Sequence, residues 1–198
     1  AGLDLAQVSD LSALALAFPR PDGSHDVVMR FWAPEATIAK NYSYMEYVNR
    51  GLITATPGNA TDFGRVREEI LALSRRYRFQ ELAFDPWSAY QLAQELADEG
   101  IQTVEIRQGY HSMSEPTKAL LRMILDRRIR HGGNAVLRWN ADNLAVAQDA
   151  DGNIKPDKSE SGAKIDGIVA LIMALDRAAR NGDTSSVWEN DDYEMVTA

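Results

Sequence analysis

The chain has 198 residues, 45% of them hydrophobic and 25% charged, enough for one domain with a substantial core. It has no cysteine, which excludes disulfides and thiolate metal sites, and no apolar run near the roughly 18 residues that span a bilayer. A formal net charge of −8 counts against a broad phosphate-binding face. It does not count against metal-dependent chemistry, where bound cations offset clustered carboxylates.

The opening Ala1-Gly2-Leu3-Asp4 has no initiator Met and almost no lead-in, and reads as the start of an excised domain. Residues 2–5 form a short buried strand, 6–10 a turn and 11–18 a second strand. Pro19-Arg20-Pro21-Asp22-Gly23 is turn chemistry, and 25–33 is a third strand, so an antiparallel meander is expected. Residues 37–50 read as one helix, 52–56 as extended, and a helix capped by Thr61 or Asp62 runs to 77. A strand at 81–84 and an amphipathic helix at 87–99 follow, then a strand at 101–106. Ser114-Glu115-Pro116 predicts a helix start, with the helix reaching residue 130 before Gly132-Gly133. A short helix is expected over 135–143, a hairpin loop over 149–157 and a buried helix over 164–179. The tail after Asn181 is polar and acidic and is expected to fray. A meander followed by alternating helices and strands predicts an α/β mixed sheet flanked by helices.

Three aspartates stand where apolar segments put carboxylates to use: Asp4 inside Gly-Leu-Asp-Leu, Asp85 after Leu-Ala-Phe, and Asp166 opening the buried helix. An ionised carboxylate beside a core is costly unless paired. Three converging would bind hard divalent cations. Two such ions about 3.5–4 Å apart would activate water and stabilise the leaving oxygen of a phosphodiester. Each aspartate alone also fits a structural role: a turn for Asp4, a helix cap for Asp85, a first-turn residue for Asp166.

Lys158 and Lys164 flank the third aspartate and are candidates to contact a scissile phosphate, or are simply solvated. Arg127, Arg128 and Arg130 form a basic run that would suit a nucleic-acid backbone, although helix-end electrostatics also explains it. His25, His111 and His131 lack zinc-ligand spacing. Trp32, Trp87 and Trp139 are expected in the core, and Trp188 in the acidic tail is a candidate docking residue. No phosphate-binding loop is present: 55–59 is glycine-containing but has no lysine, so ATP hydrolysis is not expected.

Several segments, in order, carry a family likeness. They are Gly2-Leu3-Asp4-Leu5 with Asp10-Leu11-Ser12-Ala13-Leu14, and Phe84-Asp85-Pro86-Trp87. Then come His131-Gly132-Gly133-Asn134-Ala135-Val136-Leu137-Arg138-Trp139, Asp157-Lys158 and Lys164-Ile165-Asp166-Gly167-Ile168-Val169-Ala170-Leu171. Together they resemble the nuclease domain of tailed-bacteriophage terminase large subunits, in the HK97-like branch. An Asp on a first strand also occurs in actin-like ATPases and resolvases, but the ordered set is specific.

The resemblance implies a ribonuclease-H-like fold over residues 1–182, followed by an acidic, flexible tail at 183–198. It also implies an N-terminal packaging ATPase that this chain lacks. The implied activity is a Mg²⁺- or Mn²⁺-dependent endonuclease that cuts concatemeric double-stranded viral DNA during packaging in the host cytoplasm. The portal and the small terminase subunit would be partners. The metal ligands would fall on Asp4, Asp85 and Asp166, with Asp10 either an auxiliary carboxylate or a turn residue capping the second strand, and Asp157, nearer an exposed loop, in reserve. Two alternatives remain open: a DNA-gripping or docking module with little autonomous cleavage, and a resolvase-like relative of the same fold.

Overall fold

A computed structural model describes residues 1–6 and 10–181. Strands β1 (Gly2–Asp4), β2 (Ser12–Pro19) and β3 (His25–Pro34) form the expected antiparallel meander, with Leu3 opposite Leu14 and Ala13 opposite Phe31. The β2–β3 turn is closed by Asp22, whose carboxylate accepts from Ser24, and by Gly23 at a φ of 75°.

Where one helix was expected over 37–50 there are two, α1 (Glu35–Ile38) and α2 (Tyr42–Asn49). Asn41 divides them: its side chain accepts from the N–H groups of Ser43 and Tyr44 and so starts a new helix. Next come β4 (Thr54–Thr56), α3 (Phe63–Arg76, capped by Asp62), β5 (Leu82–Phe84), α4 (Pro86–Asp98) and β6 (Thr103–Glu105).

Helix α5 spans Tyr110–Leu125, so Pro116 lies inside it and does not begin it. Its first turn forms four residues earlier than Ser114 because Met113 is buried in the core. The expected extension to residue 130 is also corrected. Arg127 has a φ of 56°, which reverses the chain into β7 (Ile129–Arg130) beside β3. Helix α6 (Ala135–Asp142) is followed by the hairpin β8 (Val146–Gln148) and β9 (Ile154–Pro156), and then by α7 (Asp166–Arg180). No helix among the described residues is long and apolar enough to cross a membrane.

The main sheet has the order β4-β3-β2-β1-β5-β6, with β7 joined to β3. β1, β5 and β6 are mutually parallel, so the meander passes into a parallel half at β1. Strand alternation sorts the two faces. Leu3, Leu14, Leu16, Trp32, Leu82 and Phe84 pack under α3 and α4. Ala13, Ala15, Phe31 and Ala83 pack under α7, α5 and α6.

The second face is paved with small residues where α7 crosses it. A Cβ added at Gly2 would meet the Ala170 carbonyl oxygen at 2.2 Å and the Ala174 nitrogen at 2.6 Å. The helix backbone therefore lies directly on β1. At the opposite end of α7, Arg177 Nε donates to Glu81 Oε2 at 2.6 Å, next to β5. This contact fixes the direction of travel: α7 runs antiparallel to β1, so its first residue meets the end of β1 that carries Asp4.

Candidate functional site

Asp4 is the last residue of β1 and alternates with Leu3 onto the α7 face. Asp166 is the first residue of α7. The helix dipole favours a carboxylate at that position. Both are almost fully buried, Asp4 at 1% exposure and Asp166 at 5%. One ammonium group joins them: Lys158 Nζ donates to Asp4 Oδ2 at 2.6 Å and to Asp166 Oδ1 at 3.0 Å. Gln108 Nε2 donates to the other Asp4 oxygen, Oδ1, at 3.0 Å. Asp166 Oδ2 is buried and has no hydrogen-bond partner among the described residues.

Burial pushes the Asp4 carboxyl up to about 7. Lys158 opposes the rise, Asp166 adds to it, and Gln108 opposes it weakly. Burial pulls the Lys158 ammonium down, but Asp4 and Asp166 outweigh it and leave its pKa raised. The centre thus holds two low-exposure carboxylates and one cation.

Asp85 follows the end of β5, and the parallel pairing of Leu3 with Phe84 puts it level with Asp4 on the neighbouring strand. Its side chain does not join the other two. Oδ1 accepts from the Trp87 N–H at 3.1 Å and caps α4. Among the described residues no group of three or more acidic or histidine side chains lies close enough to hold a metal. The structure therefore unites Asp4 with Asp166, while Asp85 stands on the neighbouring strand end as a cap.

Asp10 pairs with Lys164 at the half-exposed rim. Tyr44, buried in α2, faces this region: burial, Asp10 and Asp166 all raise its hydroxyl pKa. Asp157, the reserve candidate, anchors its own loop. Its Oδ1 accepts from the Ser159 N–H and hydroxyl and from the Glu160 N–H.

The arginine run lies elsewhere. Arg130 is level with Asp26 on β3 and pairs with Asp22, and Asp26 is level with Phe18 on β2, whereas Asp4 is level with Ala13. Five residues of strand, about 17 Å, separate the two levels. Trp87 is 83% exposed and not in the core, because the buried stripe of α4 is Ala89, Leu92, Ala93 and Leu96 on another side of the helix. Trp32 is fully buried and Trp139 packs edge-on against Tyr44. Trp188 and the tail lie outside the described residues.

Sequence reasoning missed Gln108, Tyr44 and Asn140. Asn140 is fully buried in α6, and its Oδ1 accepts from the Gly167 N–H at 2.7 Å, steadying the turn that carries Asp166. Its place in the His131–Trp139 likeness, one residue beyond the quoted segment, was the only signal available.

Known proteins bear on this geometry. A terminase large subunit endonuclease domain model matches residues 1–182. The large terminase subunit of Enterobacteria phage HK97 is 35% identical over 192 residues, covering 93% of this chain and 38% of that protein. Protein YmfN of Escherichia coli K12 is 36% identical over 191 residues, covering 88% of this chain and 42% of that protein. The chain thus spans about two fifths of the length of these relatives.

The crystal structure of the HK97 large terminase superposes with a TM-score of 0.83 over 89% of this chain and 38% of that one, at 35% identity. The large terminase nuclease from thermophilic phage G20c superposes at 0.57 over 89% of this chain and 80% of that one, at 13% identity, a likeness of fold alone. These neighbours share the ribonuclease-H-like architecture, and the mixed sheet described above is of that type. A family model covering all the described residues and a close superposition agree: this chain belongs to the endonuclease-domain family of terminase large subunits.

Proposed function

We propose that the chain is a Mg²⁺- or Mn²⁺-dependent endonuclease that hydrolyses duplex DNA, with Asp4 and Asp166 as the core of its metal site. The observation that carries this reading is the buried carboxylate pair at the junction of β1 and α7, with Asp166 Oδ2 lacking a partner among the described residues. Orphaned buried acceptors are rare in native structures and call for a specific explanation. An all-oxygen donor set suits a hard divalent cation. A structure of the G20c nuclease with bound magnesium supports the choice of metal.

Asp4 and Asp166 would hold the first cation, and Asp85, level with Asp4 on the adjacent strand, would add a donor towards a second. A divalent cation bound there supplies Lewis-acid polarisation of a phosphoryl oxygen and activation of the attacking water. The protein's own part is orientation. Gln108 fixes the rotation of the Asp4 carboxylate, Asn140 holds the first turn of α7, and Lys158 supplies positive charge beside the reacting phosphate. Arg127, Arg128 and Arg130 stand about 17 Å along the sheet from the carboxylate level, so any DNA contact they make is roughly five phosphates from the cut.

The physiological substrate would be concatemeric viral DNA, presented by the ATPase domain of the full-length protein together with portal and small subunit. A net charge of −8 favours a second reading, in which the isolated chain binds and cuts DNA poorly without those partners. Nicking of supercoiled plasmid separates the cases. With Mn²⁺ the wild-type chain should nick DNA, EDTA should abolish nicking, and Asp4→Asn should lower the rate at least about a hundredfold, the scale of losing one electrostatic group at a reaction centre. Equal nicking by the wild type and a folded Asp4→Asn would contradict the assignment.

A further inference from the structure

We propose that Lys158 is a resident counter-ion of the Asp4–Asp166 pair, and that a divalent cation enters the site only by exchanging places with its ammonium group. This rests on the metal-site reading above and assigns Lys158 a task before any substrate arrives.

The ammonium touches one oxygen of each carboxylate, at 2.6 and 3.0 Å. A divalent cation would sit about 2.0–2.6 Å from such oxygens. Two cations cannot share that space: they would overlap, and like charges repel strongly where water is scarce. Without either cation, two buried carboxylates would face one another uncompensated, which is costly. The lysine therefore lets the domain fold without metal.

It is an incomplete substitute, because Asp166 Oδ2 has no partner among the described residues. A metal, with more coordination positions than an ammonium has protons, can use that oxygen.

The exchange needs little motion. The Lys158 side chain is 44% exposed, so its flexible stem already has a route to solvent. Its backbone is held apart from that motion. The Asp157 N–H donates to the Ala145 carbonyl, and the Ser161 N–H and hydroxyl both return to the Asp157 carbonyl. A swing about the side-chain torsions empties the position and leaves the loop in place. The displaced ammonium then lies at the rim, where the phosphate would be.

The test uses the 198-residue chain, with Mn²⁺ titrated calorimetrically into the wild type and Lys158→Met. Lys158→Met should bind Mn²⁺ at least about tenfold more tightly, since no buried ion pair must be broken first. It should also melt at a lower temperature than the wild type in EDTA and recover on adding Mn²⁺. A measurement on the wild type covers the case in which this variant fails to fold. The ¹⁵N signal of the Lys158 ammonium should be protected from solvent in EDTA and lose that protection as Mg²⁺ saturates the site.

Equal Mn²⁺ affinity of the two proteins, or a Lys158 signal unchanged at saturating Mg²⁺, would overturn the exchange and leave the metal site standing. Absence of Mn²⁺ binding to both proteins would overturn the exchange together with the metal site.

Discussion

Gly167 shows how tightly the surroundings of Asp166 are specified. A methyl group at that position would lie 2.7 Å from both Asn140 Oδ1 and Phe31 Cε1, two residues with no room to retreat. Overpacking of this kind costs about 1–3 kcal/mol, and weakening the Asn140 hydrogen bond adds about 1 kcal/mol. The helix propensity gained by replacing Gly with Ala returns at most about 1 kcal/mol. The clash wins: Gly167→Ala should lower stability by about 1–3 kcal/mol in urea unfolding. A variant as stable as the wild type would mean that α7 is not seated as described.

The aspartates were legible because a carboxylate inside an apolar segment is visible in the local sequence. Their partners were not. Gln108 and Lys158 reach Asp4 across 104 and 154 residues of chain, and no local periodicity encodes a contact of that range.

At the scale of elements, α7 is the piece that assembles the site, and it is fastened at both ends. Gly2 and Gly167 permit its close approach to the sheet, and Glu81 with Arg177 pins its far end beside β5. Asn181 adds a second donor to the same Glu81 oxygen at 2.9 Å. The Arg177 hydrogen bond, chiefly, holds the Glu81 carboxyl below its ordinary range. A carboxylate whose pKa is depressed on folding contributes stability that is present above its unfolded pKa, near 4.3, and is lost as pH falls through the folded value. Glu81→Gln should therefore destabilise the chain at pH 7 and flatten the loss of stability below about pH 4. Urea unfolding from pH 7 to pH 3 reads this directly, and parallel curves for the two proteins would count against the clamp.

The alternation of β2 and β3 and the apolar stretch of α7 made the sheet and its covering helix readable in advance. The ends of α5 were not readable. Pro116 imitates a first-turn proline, but burial of Met113 draws the helix start forward to Tyr110. At the other end Arg127 adopts a left-handed conformation that its residue type does not announce. In both places packing overrode the local signal.

Across the whole molecule, the candidate centre lies at the carboxyl ends of β1 and β5, two adjacent parallel strands, with the first turn of α7 closing over them. Sites in open α/β sheets gather at such strand ends. The exposed Arg127, Arg128 and Arg130 stand at the far end of the β2–β3 meander, beside β3. The chain spans 38% of the HK97 protein it resembles.

Asp4 and Asp166, joined through Lys158, are the proposed divalent-cation site. Anomalous diffraction from a crystal soaked in Mn²⁺ tests it most directly. The predicted result is a manganese peak within bonding reach of Asp4 and Asp166, with the Lys158 ammonium moved away. A soaked crystal with no manganese at these carboxylates and Lys158 still bridging them would contradict the claim.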